Sequence, residues 1–368
     1  MPRTAQKKAV DYIQRRQSAV RREIAKRGLD ALLITNPHNV GYLCGFTGGD
    51  SWAIVTADYA ALLTDSRYTE QAQNECRHCQ VLERTGYLHD LCKEGFRRLK
   101  ARNAGFESHH VTFRQWSCLQ DSQIEWQPTF GIVESQRIVK DAGEIESILR
   151  AVNVAQAAFN QVQGLIKPGV TELEIAHAID GIQRQLGASG SSFEPIVSFG
   201  ERGSLPHGQP GARVLQPAEP VLIDWGARVG LYNSDLTRVL LPSKINSKLK
   251  RIYQTVLHAQ RAAIDAAKPG MSGQQLDAIA RKVIEKARFG RYFGHGLGHG
   301  VGLEVHEAPA LSRFSNDQLS AGAVVTIEPG IYLAGWGGVR IEDMILLTRT
   351  GRKVLTSLPK NMDEVCVL

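Results

Sequence analysis

Apolar residues recur along this chain with two periods, and the period switches several times. Residues 29–35, 52–56 and 61–64 are short β-prone runs, punctuated by Gly48-Gly49-Asp50 and Thr56-Ala57-Asp58. Residues 66–103 read as mainly helical, with charged faces and Leu88, Leu91 and Leu99 turned inward. Strand-like material returns at Gly105-Phe106-Glu107 and at residues 131–133. A polar stretch over 134–141 then precedes a helix from near Glu144. There Ile145, Ile148, Leu149, Val152, Ala155 and Phe159 keep the spacing of a half-buried face. The pattern predicts a mixed α/β unit over residues 1–136 and a second unit over residues 137–368.

The second unit repeats itself. Lys167-Pro168-Gly169 is followed by Thr171 and a helix over 172–186, and Lys268-Pro269-Gly270 by Ser272 and a helix over 274–287. In each, Pro-Gly breaks one helix and Thr or Ser caps the next. Further on, Val221-Leu222-Ile223-Asp224-Trp225-Gly226 resembles Val325-Thr326-Ile327-Glu328-Pro329-Gly330. Each copy is an apolar run that delivers a carboxylate, then a glycine, then a second strand with another carboxylate, Asp235 or Glu342. A tandem duplication explains the repeated order, with two α/β halves facing each other across a shared centre.

Composition adds a few bounds. The chain has 368 residues, 43% hydrophobic and 22% charged, values of an ordinary globular protein. No apolar run approaches the ~18 residues of a membrane helix. The N-terminus MPRTAQKKAV has no apolar core of a secretory signal. The net charge of +7 is concentrated in residues 1–27. Apolar Val10, Ile13, Val20 and Ile24 fall there at helical spacing, so the segment reads as a solvated basic helix. No aromatic interleaving or base-reading motif accompanies the charge, so a nucleic-acid partner is not expected. Six cysteines include the lone pair Cys76-Arg77-His78-Cys79 without a second ligand pair. They read as reduced thiols, with a cytoplasmic location as the expectation. His78, His89, His109 and His110 read as structural or exposed.

The chemistry sits in the second unit. Asp224, Asp235, His299, Glu328 and Glu342 are oxygen and nitrogen donors at spacings that two hairpins would bring together. Asp224 and Asp235 flank the turn Ala227-Arg228-Val229-Gly230, and Glu328 ends an apolar run, so a carboxylate there is expected to be buried. Four carboxylates converging in a core would each cost several kcal/mol or take up a proton. Two divalent cations would cancel that charge and acidify a water at neutral pH, which points to metal-assisted hydrolysis. Residues 294–307 pack His295, His299 and His306 among closely spaced glycines. No Lys-Ser/Thr or helix start follows, so a phosphate loop is not read there. His207, in Leu205-Pro206-His207-Gly208, is ambiguous alone.

These blocks resemble the pita-bread metallopeptidase family, in the branch of Xaa-Pro aminopeptidases and Xaa-Pro dipeptidases. The resemblance runs through Leu205-Pro206-His207, Ile223-Asp224-Trp225-Gly226, Ser234-Asp235-Leu236-Thr237-Arg238, the His295–Glu307 stretch, Glu328-Pro329-Gly330-Ile331-Tyr332 and Gly338-Val339-Arg340-Ile341-Glu342-Asp343. Gly45-Phe46-Thr47-Gly48 and Asp65-Ser66-Arg67-Tyr68 look like the creatinase-type N-terminal domain of the same branch. The resemblance implies an α/β (α+β) fold: a creatinase-like domain followed by a duplicated, pseudo-two-fold catalytic domain. It implies that Asp224 and Asp235 chelate one metal, that His299 and Glu328 hold the other, and that Asp235 and Glu342 bridge. His207, His295 and His306 would hold substrate or steady the tetrahedral intermediate. Glu328 would act as general base, Arg340 would orient Glu342, and Tyr332 would be a weaker supporting residue. The implied cofactor is two Mn2+ ions, with Co2+ or Zn2+ as substitutes, and the implied assembly a homodimer. The expected activity is cleavage of peptides with proline at the second position, by an Xaa-Pro aminopeptidase. An Xaa-Pro dipeptidase is the alternative. A methionine aminopeptidase, a creatinase and a metal-free protein-binding scaffold fit less well, because the full ligand set is present beside a creatinase-like first half.

Overall fold

The computed structural model describes residues 3–366, with side chains from Tyr12 onward. Val10 and the first basic side chains therefore lie outside the described ones. The chain divides into two compact units, Met1–Arg137 and Ile138–Leu368. No helix among the described residues is long and apolar enough to cross a membrane.

The first unit runs α1 (Arg3–Lys26), β1 (Ala31–Ile34), α2 (Pro37–Cys44), β2 (Trp52–Thr56), β3 (Ala60–Thr64), α3 (Thr69–Glu75) and β4 (Gln80–Glu83). It continues through α4 (Leu88–Arg98), β5 (Asn103–Glu107), α5 (Phe113–Leu119), β6 (Glu125–Thr129) and α6 (Glu134–Arg137). Among the described residues its strands form one mixed sheet in the order β4-β3-β2-β1-β5-β6. The central β1, β2 and β3 are buried along their whole length, which is why they read as unbroken apolar runs.

Five details differ from the sequence reading. α2 interrupts the strands and turns expected before residue 70. Asn36 caps it, Pro37 opens it, and Gly45 closes it at φ 74°. The stretch 66–103 is not mainly helical, because β4 splits it. β4 is a half-exposed edge strand, too polar to show a strand period. Leu99 ends α4 and is 36% exposed rather than inward. Residues 131–133 form a turn, and the strand lies earlier, at β6. α1 is also less solvated than expected: Val20 and Ile24 are buried, and Gln17 donates to the Leu43 carbonyl at 2.9 Å.

The second unit shows the duplication in its geometry. Its first half is α7 (Ala142–Val162), α8 (Glu172–Gln185), β7 (Gly190–Ser191), β8 (Ile196–Phe199), β9 (Val221–Trp225), β10 (Ala227–Val229), β11 (Tyr232–Asn233) and β12 (Leu236–Leu240). Its second half is α9 (Ser247–Ala266), α10 (Gly273–Lys286), β13 (Gly298–Gly300), β14 (Glu307–Leu311), β15 (Val324–Ile327), β16 (Gly330–Leu333), β17 (Gly337–Arg340) and β18 (Asp343–Leu347). Both Lys-Pro-Gly turns end on a glycine with positive φ, 101° at Gly169 and 86° at Gly270. Thr171 with Glu174, and Ser272 with Gln275, form matching capping boxes. Each cap residue also makes an isolated antiparallel bridge, to Val214 and to Gln318.

Each half backs its strands with its own helix pair. Behind β9, the Phe159 ring stacks on Trp225 with centroids 4.5 Å apart, and the indole N–H donates to the Ala155 carbonyl at 2.9 Å. Behind β15 and β18, Ile252, Val256, Leu276 and Ala280 pack on Val325, Ile327 and Ile345. Gly226 marks where the first hairpin bends. A Cβ there would stand 1.8 Å from the Ser234 carbonyl oxygen. The backbone cannot yield as a flexible side chain would, so Gly226→Ala is expected to cost about 1–3 kcal/mol. Urea denaturation measures it, and an unchanged midpoint would refute the close approach.

Candidate metal centre

Two hairpins bring the acidic residues to one point, and strand register decides how. In the first, Thr237 lies opposite Asp224. The pairs Trp225–Leu236 and Arg228–Asn233 keep one register, which puts Asp235 opposite Gly226. In the second, Ile327 pairs with Asp343 and Gly330 with Arg340, which puts Glu328 opposite Glu342. The two copies are therefore not equivalent. Thr237 holds the place of Glu342, and Asp235 the place of Arg340. A shift of two residues keeps a strand side chain on the same face, so all four carboxylates still converge.

Three clusters of potential ligand atoms result, each within 4.8 Å: Asp224, Asp235 and Glu342; His299, Glu328 and Glu342; and Asp235, His299 and His306. His299 Nε2 stands 3.2 Å from Glu328 Oε1 and 3.6 Å from Asp235 Oδ2. Asp224, Asp235 and Glu342 are 9%, 4% and 1% exposed.

The residues fit a pair of cations. Asp224 Oδ1, Asp235 Oδ1 and Glu342 Oε1 are buried without a hydrogen-bond partner, which leaves lone pairs aimed at nothing in the protein. His299 adds a second indication. Its Nδ1 donates to the Gly300 carbonyl at 3.1 Å, so Nε2 is left to be protonated or to ligate. The hard, oxygen-rich set suits Mn2+ and admits Zn2+.

Electrostatics inside the cluster is uneven. Burial, then Glu342 and Asp224, hold the Asp235 carboxyl well above the usual range. Burial and Glu328 do the same for Glu342. Burial also raises Asp224, against the pull of Arg340. Glu328 behaves otherwise. Burial pushes it up, but the hydrogen bond and charge of His299, helped by His295 and Arg340, outweigh burial and bring it down to about 2. Burial lowers His299, and the Glu328 bond and charge more than reverse that.

Other residues hold these in place. Arg340 is 3% exposed, and all three of its guanidinium nitrogens make hydrogen bonds. It donates to Asp224 Oδ2 at 2.5 Å, Thr237 Oγ1 at 3.0 Å, the Tyr332 hydroxyl at 2.8 Å and the Pro206 carbonyl at 3.2 Å. Thr237 passes the contact on, donating to Glu342 Oε2 at 2.7 Å. Thr326 accepts from the His299 backbone N–H and donates to Glu328 Oε1, both at 3.1 Å. His295 donates from Nδ1 to the Gly296 carbonyl at 2.7 Å, so its Nε2 accepts from the Tyr332 hydroxyl at 2.9 Å. Burial lowers the His295 imidazole and raises the Tyr332 hydroxyl to about 12, which keeps both neutral.

Sequence reasoning missed several of these supports. Thr237 and Thr326 carry no charge to single them out. The buried Asp277–Arg281 pair on α10 clamps the histidine-rich stretch. Arg281 donates to the Phe293 and His295 carbonyls at 2.9 Å, and Asp277 accepts from the Leu297 N–H at 3.1 Å. In the first half Glu172 clamps the His207 loop, accepting from Phe199 N at 3.0 Å and Gly211 N at 3.1 Å. The only signal was i,i+4 spacing for the pair, and a cap-adjacent glutamate for Glu172.

A cavity of about 450 Å³ opens over the cluster, and His207, His295, His306 and Arg340 line it with the carboxylates. His207 and His306 are exposed to it. Partial burial and the neighbouring His299 lower the His306 imidazole. The ring of His306 sits edge-on to His299, with centroids 4.2 Å apart.

Comparison with known proteins places both units in known families. Residues 146–349 match metallopeptidase family M24, and residues 16–139 match the creatinase/prolidase N-terminal domain. An Xaa-Pro dipeptidase from Pyrococcus furiosus is 35% identical over 92% of this chain and 96% of its own length. Among solved structures, an Xaa-Pro dipeptidase from Bacillus anthracis superposes with TM-score 0.92 at 37% identity, covering 95% of this chain and 99% of its own. An X-Pro aminopeptidase from Thermotoga maritima gives 0.88 at 36% identity, covering 94% and 98%.

Proposed function

The chain belongs to metallopeptidase family M24, with a creatinase/prolidase N-terminal domain, and from that premise we propose that it hydrolyses Xaa-Pro dipeptides. The observation that carries the reading is the set of buried, unpartnered carboxylate oxygens on Asp224, Asp235 and Glu342 beneath the cavity. Divalent cations held there, most suitably Mn2+, would polarise the scissile carbonyl and acidify a water. The rest is done by side chains.

The bond before proline is a tertiary amide without an N–H. Its nitrogen cannot leave until it is protonated. Glu328 lines the cavity beside His299 and would take a proton from the attacking water and hand it to that nitrogen. His306 is kept neutral and can donate one N–H to the developing oxyanion. Arg340, through Asp224 and Thr237, fixes the ligand carboxylates. His295, held by Tyr332, presents a fixed ring to the cavity.

The dipeptidase reading rests on relatives that carry that name at 35% and 37% identity. One observation favours an aminopeptidase instead. No lysine lines the cavity among the described residues, and its arginine is already committed, so a free C-terminal carboxylate must rely on the histidines. A panel of Xaa-Pro, Xaa-Pro-Xaa and Xaa-Ala peptides with Mn2+ separates these. The expected result is highest kcat/KM on Xaa-Pro and none on Xaa-Ala. Preference for Xaa-Pro-Xaa would favour the aminopeptidase, and equal cleavage of Xaa-Ala would remove the proline assignment.

A further inference from the structure

One charged residue of the cavity takes no part in the network described so far. Asp224, Asp235, Glu328, Glu342 and Arg340 interlock, but Glu194 lines the same cavity, is exposed, and has no partner among the described residues. Its place follows from its neighbour Ile196. Ile196 lies opposite Asp224 across β8 and β9 and also lines the cavity. Glu194 is two residues before it, just ahead of β8, so at most about 7 Å separates their Cα atoms. That is about the span of one extended lysyl side chain.

Glu194 also stands where two cavities meet. A neighbouring cavity of about 410 Å³ shares Phe193, Glu194 and Pro210 with the first. The other charges on that wall cancel, because Arg184 binds Asp180 at 2.8 Å. At the catalytic end, four carboxylates would be balanced by two dications. Arg340 adds one positive charge, but its bond to Asp224 holds it at the cluster, so Glu194 is the unpartnered charge at the mouth and dominates the field there.

We propose that Glu194 determines charge preference for the residue before proline, favouring a cationic N-terminal side chain (lysine or arginine) and disfavouring an anionic one. The proline ring carries no charge, and the scissile carbonyl must reach the cluster. The variable side chain within one residue of that point belongs to the N-terminal residue. This inference rests on the Xaa-Pro dipeptidase reading.

The test uses the full-length enzyme with Mn2+ and the dipeptides Lys-Pro, Leu-Pro and Glu-Pro, which share the same free termini. Wild-type enzyme is expected to favour Lys-Pro over Glu-Pro by about three- to ten-fold in kcat/KM, as an exposed charge pair allows, with the ratio shrinking as salt rises. Glu194→Gln is expected to bring the ratio near one, and Glu194→Lys to invert it. A ratio unchanged in both variants overturns the inference. So does an equal shift on all three peptides, which would place Glu194 against a terminus they share. Failure to cleave Leu-Pro at all would overturn the dipeptidase reading instead.

Discussion

Asp235→Asn is expected to lower kcat by about 10²–10³-fold, the loss that follows when stabilisation of transition-state charge is removed, yet to leave the metal-free protein at least as stable as the parent. The two halves of this result have one cause. Asp235 is 4% exposed, its Oδ1 has no partner, and burial with Glu342 and Asp224 makes its ionised form costly. Asparagine keeps the shape and removes the charge. What it takes away is a site for cations. The parent's unfolding temperature should therefore rise with Mn2+, since a ligand at a hundred times its dissociation constant adds about 2.7 kcal/mol. The variant's temperature should respond less. Thermal unfolding with and without Mn2+ measures both. A variant as strongly stabilised by Mn2+ as the parent would contradict the role given to Asp235.

Asp343→Ala is expected to cost about 3–5 kcal/mol, because it strips the counter-charge from a buried arginine. Arg238 and Asp343 are each 1% exposed. The carboxylate accepts from Arg238 at 2.8 Å, from Thr356 and Gln260 at 2.7 Å each, and from Lys360. Those donors would be left facing an alanine. The damage should reach the centre, because Arg238 also holds the Glu342 carbonyl and donates to the Thr237 carbonyl at 2.9 Å. Chemical denaturation in the absence of metal isolates the stability loss. A loss below about 1 kcal/mol would mean the pair is far more solvated than its burial indicates.

The carboxylates were legible in the sequence because each breaks a local rule. Asp224 sits in a strand and Glu328 at the end of an apolar run, where a charge is unfavourable without a partner. The duplication was legible because a helix cap and a Pro-Gly turn are local signals that recur. The register difference between the copies was not, since Asp235 and Glu342 each follow a glycine and a second strand in the sequence. Only strand pairing shows that Glu342 faces Glu328 while Asp235 faces Gly226. Thr237 was hidden for a related reason: its partners Glu342 and Arg340 lie more than a hundred residues away. In the first unit, β4 was lost because an edge strand need not be apolar. α2 was lost because its eight residues are too few to show a helical period, although the Asn36-Pro37 start and Gly45 stop are ordinary cap signals.

Everything chemical in this account depends on a cation pair among Asp224, Asp235, His299, Glu328 and Glu342. Anomalous diffraction from crystals grown with Mn2+ tests it most directly. The expected result is two peaks within this cluster, with Arg340 still bound to Asp224. A map with no peak there, or with manganese only elsewhere on the chain, would contradict the account.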